Sequence, residues 1–262
     1  MFKKTILALL VLALAQTLSA QDLNLYEKKW FISKGDTMPY RLLLPYNYDP
    51  AKKYPLILFM HGSGEKGNNN STQLANCGRA FLKDSVRKNY PAFVLIPQCA
   101  LKSNWVEDRR IKDSAGKYVL VMPPNEKPTK AMLLLQKLVK RILHDYPVNK
   151  KQLYVGGLSL GGMGTYDIVH RKPKLFAAAF PICGAADTSF APKFKHVKWW
   201  VFHGANDHAV TPEFDKNIVA TMQRLNIPVQ FTLYPNTGHN SWDKALADPK
   251  LFEWLFSIEK GK

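Results

Sequence analysis

Tyr154-Val155-Gly156-Gly157-Leu158-Ser159-Leu160-Gly161-Gly162 is the segment from which the rest of the chain can be read. A short apolar run enters it and a helix-like segment leaves it. Gly157 to Gly161 spells G-x-S-x-G, the pattern of a strand that turns abruptly into a helix. Such a turn needs residues without Cβ crowding on both sides. It leaves its apex residue strained, with the side chain pushed out above the sheet. Here the apex is Ser159, and its hydroxyl becomes a candidate nucleophile. Gly162 and Gly164 permit close packing of the helix that follows.

Working outward, short apolar runs recur: Tyr54–Met60, residues 92–97 (AFVLIP), 152–155 (QLYV), 176–182 (FAAAFPI), 199–202 (WWVF) and Val229–Tyr234. Continuous runs of this length suit strands buried on both faces of a parallel sheet. Between them lie helix-like stretches. Residues 129–146 place Met132, Leu135, Leu138, Val139 and Ile142 on one face, and Pro147 ends them. Residues 212–225 begin with Pro212 after Thr211, a candidate N-cap. Residues 244–258 read as a final amphipathic helix. The alternation predicts an α/β architecture: a doubly wound, mostly parallel sheet with helices on both faces. Tyr26–Ser33 and residues 38–44 read as an N-terminal antiparallel strand pair around Lys34-Gly35-Asp36. Residues 101–129 are charged and turn-rich, then Pro-rich, and read as an inserted loop or hairpin near the cleft. No internal repeat or linker divides residues 21–262, which read as one domain.

A serine hydroxyl is almost wholly protonated at neutral pH, so it needs a base within hydrogen-bond reach, and the base needs an orienting group. The serine turn therefore demands an acid and then a histidine further along the chain. Asp207 follows the run at 199–202, and His239 follows Val229–Tyr234. In a parallel sheet the C-terminal strand ends share one edge, where Ser159, Asp207 and His239 can converge. His239 would take the Ser159 proton, and Asp207 would fix its tautomer. The oxyanion of a tetrahedral intermediate would need two backbone N–H donors. Leu160 supplies one directly after the nucleophile; Ser63, in His61-Gly62-Ser63-Gly64-Glu65, supplies the other. His203 competes with His239 but precedes the acid, which points to a packing or positioning role. Asp187 is the runner-up acid. Asp215, inside a helix-like stretch, reads as solvated, and His61 and Glu65 read as props of the oxyanion loop. Trp105 and Trp242 are candidates to line the substrate site, with core packing as the alternative for each.

The first 20 residues differ from the rest. Lys3 and Lys4 precede an apolar run from Ile6 to Ala15, and Ser19-Ala20 precede Gln21, which predicts a secretory signal peptide over residues 1–20 and a secreted or periplasmic protein. The apolar run is too short for a stable membrane span. Losing Lys3 and Lys4 takes the formal net charge from +17 to +15. The basic residues are scattered rather than interleaved with aromatics, which argues for a solvated surface and against nucleic-acid binding. Of the three cysteines, Cys183 falls in a buried run, so any disulfide would join Cys77 and Cys99. No C-x-x-C spacing points to a metal site.

GGLSLGG around Ser159, the HGSGE loop, HGANDHAV around Asp207 and GHNSWD around His239 resemble the α/β-hydrolase superfamily. Within it they are most similar to secreted bacterial esterases of the phospholipase/carboxylesterase and esterase-D/polyhydroxybutyrate-depolymerase-like group, often labelled predicted peptidases. The resemblance spans residues 40–256. It implies an α/β-hydrolase catalytic domain and a serine carboxylester hydrolase that forms an acyl-enzyme, with no cofactor and no metal. It offers feruloyl, acetyl-xylan and other carbohydrate esters, free or polysaccharide-linked, as substrate classes. A serine peptidase of the prolyl-oligopeptidase type shares the mechanism but usually adds a propeller domain. A long-chain lipase would call for an apolar lid segment, and a non-catalytic binding module would normally lack one of the three residues.

Overall fold

The computed structural model describes residues 22–112, 114, 116, 118–123 and 127–261; the predicted signal peptide lies outside them. Strands β1 (Tyr26–Ser33) and β2 (Asp36–Leu43) pair antiparallel, with Ser33 opposite Asp36. Both linking residues, Lys34 and Gly35, have positive φ (52° and 81°), as a right-twisted two-residue hairpin requires. Next come β3 (Tyr54–Met60), the short helix α1 (Asp84–Asn89) and β4 (Phe93–Pro97). Strands β5 (Arg109–Lys112) and β6 (Tyr118–Val121) form a separate hairpin within the predicted insertion. Helix α2 (Lys130–Asp145), β7 (Val148–Leu158), α3 (Leu160–Arg171), β8 (Ala178–Ile182), β9 (Lys198–Gly204), α4 (Glu213–Arg224), β10 (Val229–Tyr234), α5 (Trp242–Ala247) and α6 (Pro249–Phe256) complete the order.

Eight strands make one sheet in the order β1-β2-β4-β3-β7-β8-β9-β10. Strand β2 runs antiparallel to both neighbours, and every pairing from β4 to β10 is parallel. All residues of β3 and β4 are buried, which is why their sequences are apolar without alternation. Their side chains nevertheless alternate between two cores. Leu56, Leu58 and Met60 join the core beneath α2, α3 and α4, whereas Ile57 and Phe59 join the one beneath α5 and α6. Pro55 has no N–H to give a ladder, and at that point the β3–β7 register jumps from Tyr54↔Val148 to Leu56↔Leu153.

Three local expectations need correction. Residues 244–258 are not one helix, because the chain breaks between α5 and α6. Pro249 cannot donate an N–H, and its ring would clash with the preceding turn. The Asp248 carboxylate instead caps α6, accepting the Lys250 N–H at 2.9 Å. Thr211 is not the cap of α4: Pro212 holds that position without a side-chain bond, and Thr211 offers its carbonyl to Phe214 (3.2 Å). No Cys77–Cys99 bridge forms, since all three cysteines are free and buried. Burial raises the Cys77 and Cys183 thiols far above their usual range and pushes Cys99 up to about 12. Among the described residues, no helix is long and apolar enough to cross a membrane.

Candidate active site

Ser159 joins β7 to α3 at φ 53° and ψ −117°, a region side chains with a Cβ rarely occupy. Its N–H is tied to the Ile182 carbonyl of β8 at 2.9 Å. The flanking glycines are needed for contact rather than for φ. A Cβ at Gly157 would lie 2.4 Å from the Gly161 carbonyl oxygen, and one at Gly161 would lie 2.0 Å from that of Met60. The turn is thus pressed against the end of β3, where the loop from His61 to Glu65 begins.

The loops after β9 and β10 are laced together. The Ala205 N–H donates to Tyr234 O and the Asn206 N–H to Thr237 O, both at 2.9 Å. This brings Asp207 and His239 to Ser159. His239 Nδ1 lies 2.7 Å from Asp207 Oδ2, and Nε2 lies 2.9 Å from Ser159 Oγ. An ionised carboxylate only accepts, so Nδ1 carries the proton and the Nε2 lone pair faces the serine hydroxyl. Asp207 Oδ1 also accepts the Ala209 and Val210 N–H groups at 2.9 and 3.0 Å. Burial alone would raise the Asp207 carboxyl. Hydrogen bonds from His203, His239 and the Val210 N–H outweigh it and hold the group far below the usual carboxylate range. Asp207 is buried, while the His239 side chain keeps 29% of its surface exposed, so the base can be reached from solvent.

Leu160 is the first residue of α3, so its N–H is among those a helix leaves without an internal partner. Ser63 is exposed and opens a short 3₁₀ turn, Ser63–Glu65. The preceding Gly62 adjoins the serine: a Cβ there would lie 3.5 Å from Ser159 Cβ. His61 holds this loop through both ring nitrogens. Its Nδ1–H donates to Gly62 O (2.6 Å), and Nε2 accepts the Cys99 N–H (2.9 Å). Burial lowers its pKa to about 4, which keeps the ring neutral. Glu65 accepts from the Asn76 amide through Oε1. Its buried Oε2 has no hydrogen-bond partner among the described residues, and burial raises its carboxyl.

Trp105 does not line an open site. It is wholly buried, its indole N–H donates to His61 O (3.1 Å), and its body packs on Gly164 of α3 and edge-on to His61. Trp242 is half-buried, with its ring edge-on to His239 at 5.4 Å. It walls a cavity of about 230 Å³ together with Asn76, Arg79, Lys83, Asp243 and Leu246. Neither this cavity nor a larger one of about 330 Å³, near Met38, Gln98 and Leu134, includes Ser159, Asp207 or His239 in its lining. Asp187, the alternative acid, caps the 3₁₀ turn Thr188–Phe194 by accepting the Ser189 N–H at 2.8 Å.

A serine hydroxyl thus faces a bare imidazole nitrogen at the C-terminal end of a parallel strand. The model of the esterase family matches residues 33–243. The chain belongs to the esterase family. A solved thermostable esterase is similar to this chain at 30% identity and a TM-score of 0.81, over 91% of the present chain. The chain spans 64% of the length of that protein. A solved ferulic acid esterase superposes with a TM-score of 0.62 at 17% identity, over 87% of this chain and 95% of its own. A protein described as a dipeptidyl aminopeptidase IV, from Bacteroides ovatus, superposes with a TM-score of 0.64 at 14% identity, over 88% of this chain and 35% of its own. These last two share the α/β-hydrolase fold. No curated protein matches the sequence.

One residue is placed differently from its sequence reading. Asp215 is not solvated but fully buried, accepting from Tyr166 OH (2.6 Å), His203 Nδ1 (2.7 Å) and, at longer range, the Gly184 N–H (3.3 Å). Its spacing to Ile218, Val219 and Met222, the buried face of α4, was the available signal. Cys183 lies in the core, fully buried, and its sulfur is also within 4.8 Å of an Asp207 oxygen and a His239 nitrogen. Among the described residues, these three are the set that could hold a metal ion, and two of them are already bonded to each other.

Proposed function

We propose that this protein is a serine carboxylester hydrolase in which Ser159 attacks the ester carbonyl, His239 takes and returns the proton, and Asp207 orients His239. The observation that carries the proposal is the unbroken run of bonds from Ser159 Oγ through His239 to Asp207, at 2.9 and 2.7 Å. His239 Nε2 accepts the Ser159 proton as Oγ bonds to the carbonyl carbon. The oxyanion is received by the N–H groups of Leu160 and Ser63, near the positive end of α3. The protonated imidazole then passes its proton to the departing alkoxide, leaving an acyl-Ser159 that water cleaves by the same steps. Neither a metal nor a cofactor enters this sequence of steps. Membership of the esterase family favours an ester over an amide substrate.

Trp242, with its ring edge-on to His239, supports a reading in which the indole is a stacking face for a sugar or an aromatic acid. Carbohydrate esters of the feruloyl or acetyl type therefore head the substrate classes. The enzyme would act outside the cytoplasm after removal of residues 1–20, and an intact mass beginning at Gln21 would establish the cleavage.

The deciding experiment compares the mature protein with Ser159→Ala on p-nitrophenyl acetate, p-nitrophenyl palmitate, methyl ferulate, acetylated xylan and a prolyl peptide. Loss of ester turnover in Ser159→Ala is expected. Equal turnover by both proteins would sink the nucleophile assignment, and cleavage of the peptide alone would shift the reading to a peptidase. Trp242→Ala should raise KM for methyl ferulate more than for p-nitrophenyl acetate; equal effects would remove Trp242 from the substrate site.

A further inference from the structure

His203, near the end of β9, is fully buried, and both of its ring nitrogens face acceptors. Nε2 lies 2.9 Å from the Val210 carbonyl oxygen, which can only accept, so Nε2 carries a proton. Nδ1 lies 2.7 Å from Asp215 Oδ2. Asp215 also receives the Tyr166 hydroxyl and the Gly184 N–H, so donors surround it and it stands as a carboxylate. The Nδ1 proton therefore belongs to the histidine. His203 Nε2 is also 3.3 Å from Asp207 Oδ2, the oxygen that holds His239. Two His–Asp pairs are thus joined head to tail through Asp207.

We infer that His203 is a positioning residue of the proposed acyl-transfer centre: an imidazolium anchored by Asp215, it locks the Asp207 carboxylate toward His239 and sets the pH below which the centre fails. The inference rests on the Ser159–His239–Asp207 reading. Asp207 accepts the Ala209 and Val210 N–H groups at Oδ1 and the His239 Nδ1–H at Oδ2, with the His203 ring 3.3 Å from that same oxygen, so it cannot rotate without breaking a bond. The nearby cation also weakens Asp207's own hold on a proton, so the proton gained during turnover stays on His239, ready for the leaving group. The charged and titratable groups bearing on this cluster come from five elements. Asp207 and His239 come from the loops after β9 and β10, Asp215 from α4, Tyr166 from α3 and Cys183 from the end of β8. Burial by itself would lower the His203 pKa, but bonds to Asp207 and Asp215 raise it to about 10, in agreement with the geometry.

The test uses His203→Gln and Asp215→Asn in the mature protein, with kcat and KM on p-nitrophenyl acetate measured across pH and folding checked by circular dichroism. His203→Gln should lower kcat about 10- to 100-fold with KM changed by no more than about twofold, the pattern of a displaced supporting group. Removing a positive charge lets the Asp207–His239 pair bind its proton more tightly. The acid limb of kcat/KM should therefore move to higher pH, by about half a unit or more. Asp215→Asn should shift it in the same direction. In wild type, ¹⁵N-histidine NMR at pH 8 should show one ring protonated at both nitrogens, lost in Asp215→Asn. Folded variants with wild-type kcat and an unmoved limb, or a wild-type His203 with one bare nitrogen at pH 8, would overturn the inference. If His203→Gln does not fold, Asp215→Asn and the NMR signal decide. Turnover surviving in Ser159→Ala would remove the acyl-transfer reading while leaving the NMR result standing, so the two failures are distinguishable.

Discussion

At the scale of single residues, Ser159 and Gly161 respond in opposite directions to small changes of side chain. A residue with a Cβ held in the Ser159 conformation costs about 1–3 kcal/mol, a penalty glycine escapes. Glycine gives back about 0.4–1 kcal/mol through its freer unfolded chain. Ser159→Gly should therefore be inactive yet melt a few degrees above wild type, by calorimetry; a lower Tm would mean that the turn holds no strain. Gly161 lies in the first turn of α3, where alanine would ordinarily favour a helix by about 1 kcal/mol. Contact with the Met60 carbonyl reverses the sign, because backbone cannot swing aside as a flexible side chain does. Gly161→Ala should lose about 3 kcal/mol in urea unfolding, and a neutral or stabilised variant would show that β3 and α3 are not in contact.

At the scale of elements, α2 is secured from outside its own sequence. Thr129 Oγ1 accepts the Met132 N–H at 3.0 Å and donates to Asn104 O at 2.8 Å, fastening the helix start to the segment that carries Trp105. Thr129→Ala should cost about 1–2 kcal/mol by chemical denaturation, against a few tenths for Thr129→Ser, which keeps both bonds. Equal losses would assign the effect to the methyl group. The strands were the legible part of the chain: Tyr54–Met60 and Val229–Tyr234 read as continuous apolar runs, and their bounds agree with the structure. Pro249 stops α5 inside a stretch, residues 244–258, whose apolar periodicity continues across it. Asp207 and His239 were readable because strand ends must meet at one sheet edge. The partners of Asp215 and Trp105 were not, because Tyr166, His203 and His61 lie in other elements. Which of them meet depends on side-chain packing between layers, which linear spacing does not encode.

At the scale of the whole molecule, two buried histidines act as opposing pH sensors. His61 binds a proton more weakly in the fold than in the unfolded chain, its pKa falling from 6.5 to about 4. Stability is therefore lost as pH falls through that window. His203 binds its proton more tightly, its pKa rising from 6.5 to about 10, so its contribution is complete below 6.5 and is lost as pH climbs towards 10. The Asp207 carboxyl, depressed by its hydrogen bonds, adds to the acid-side loss. Tm should peak near neutral pH, and Asp215→Asn should flatten the alkaline slope alone. An unchanged alkaline slope would separate His203 from the stability curve.

The three buried, unbridged thiols carry a different consequence. A sulfur must ionise before it can attack a disulfide or take up an oxidant, and burial holds these three in the protonated form. The folded chain therefore offers no thiolate to disulfide exchange. Dithiothreitol should leave Tm where it is, and oxidised glutathione should add no mass to the native protein. Maturation then asks for no oxidant and no disulfide isomerase, and the same molecule results in reducing and oxidising surroundings alike.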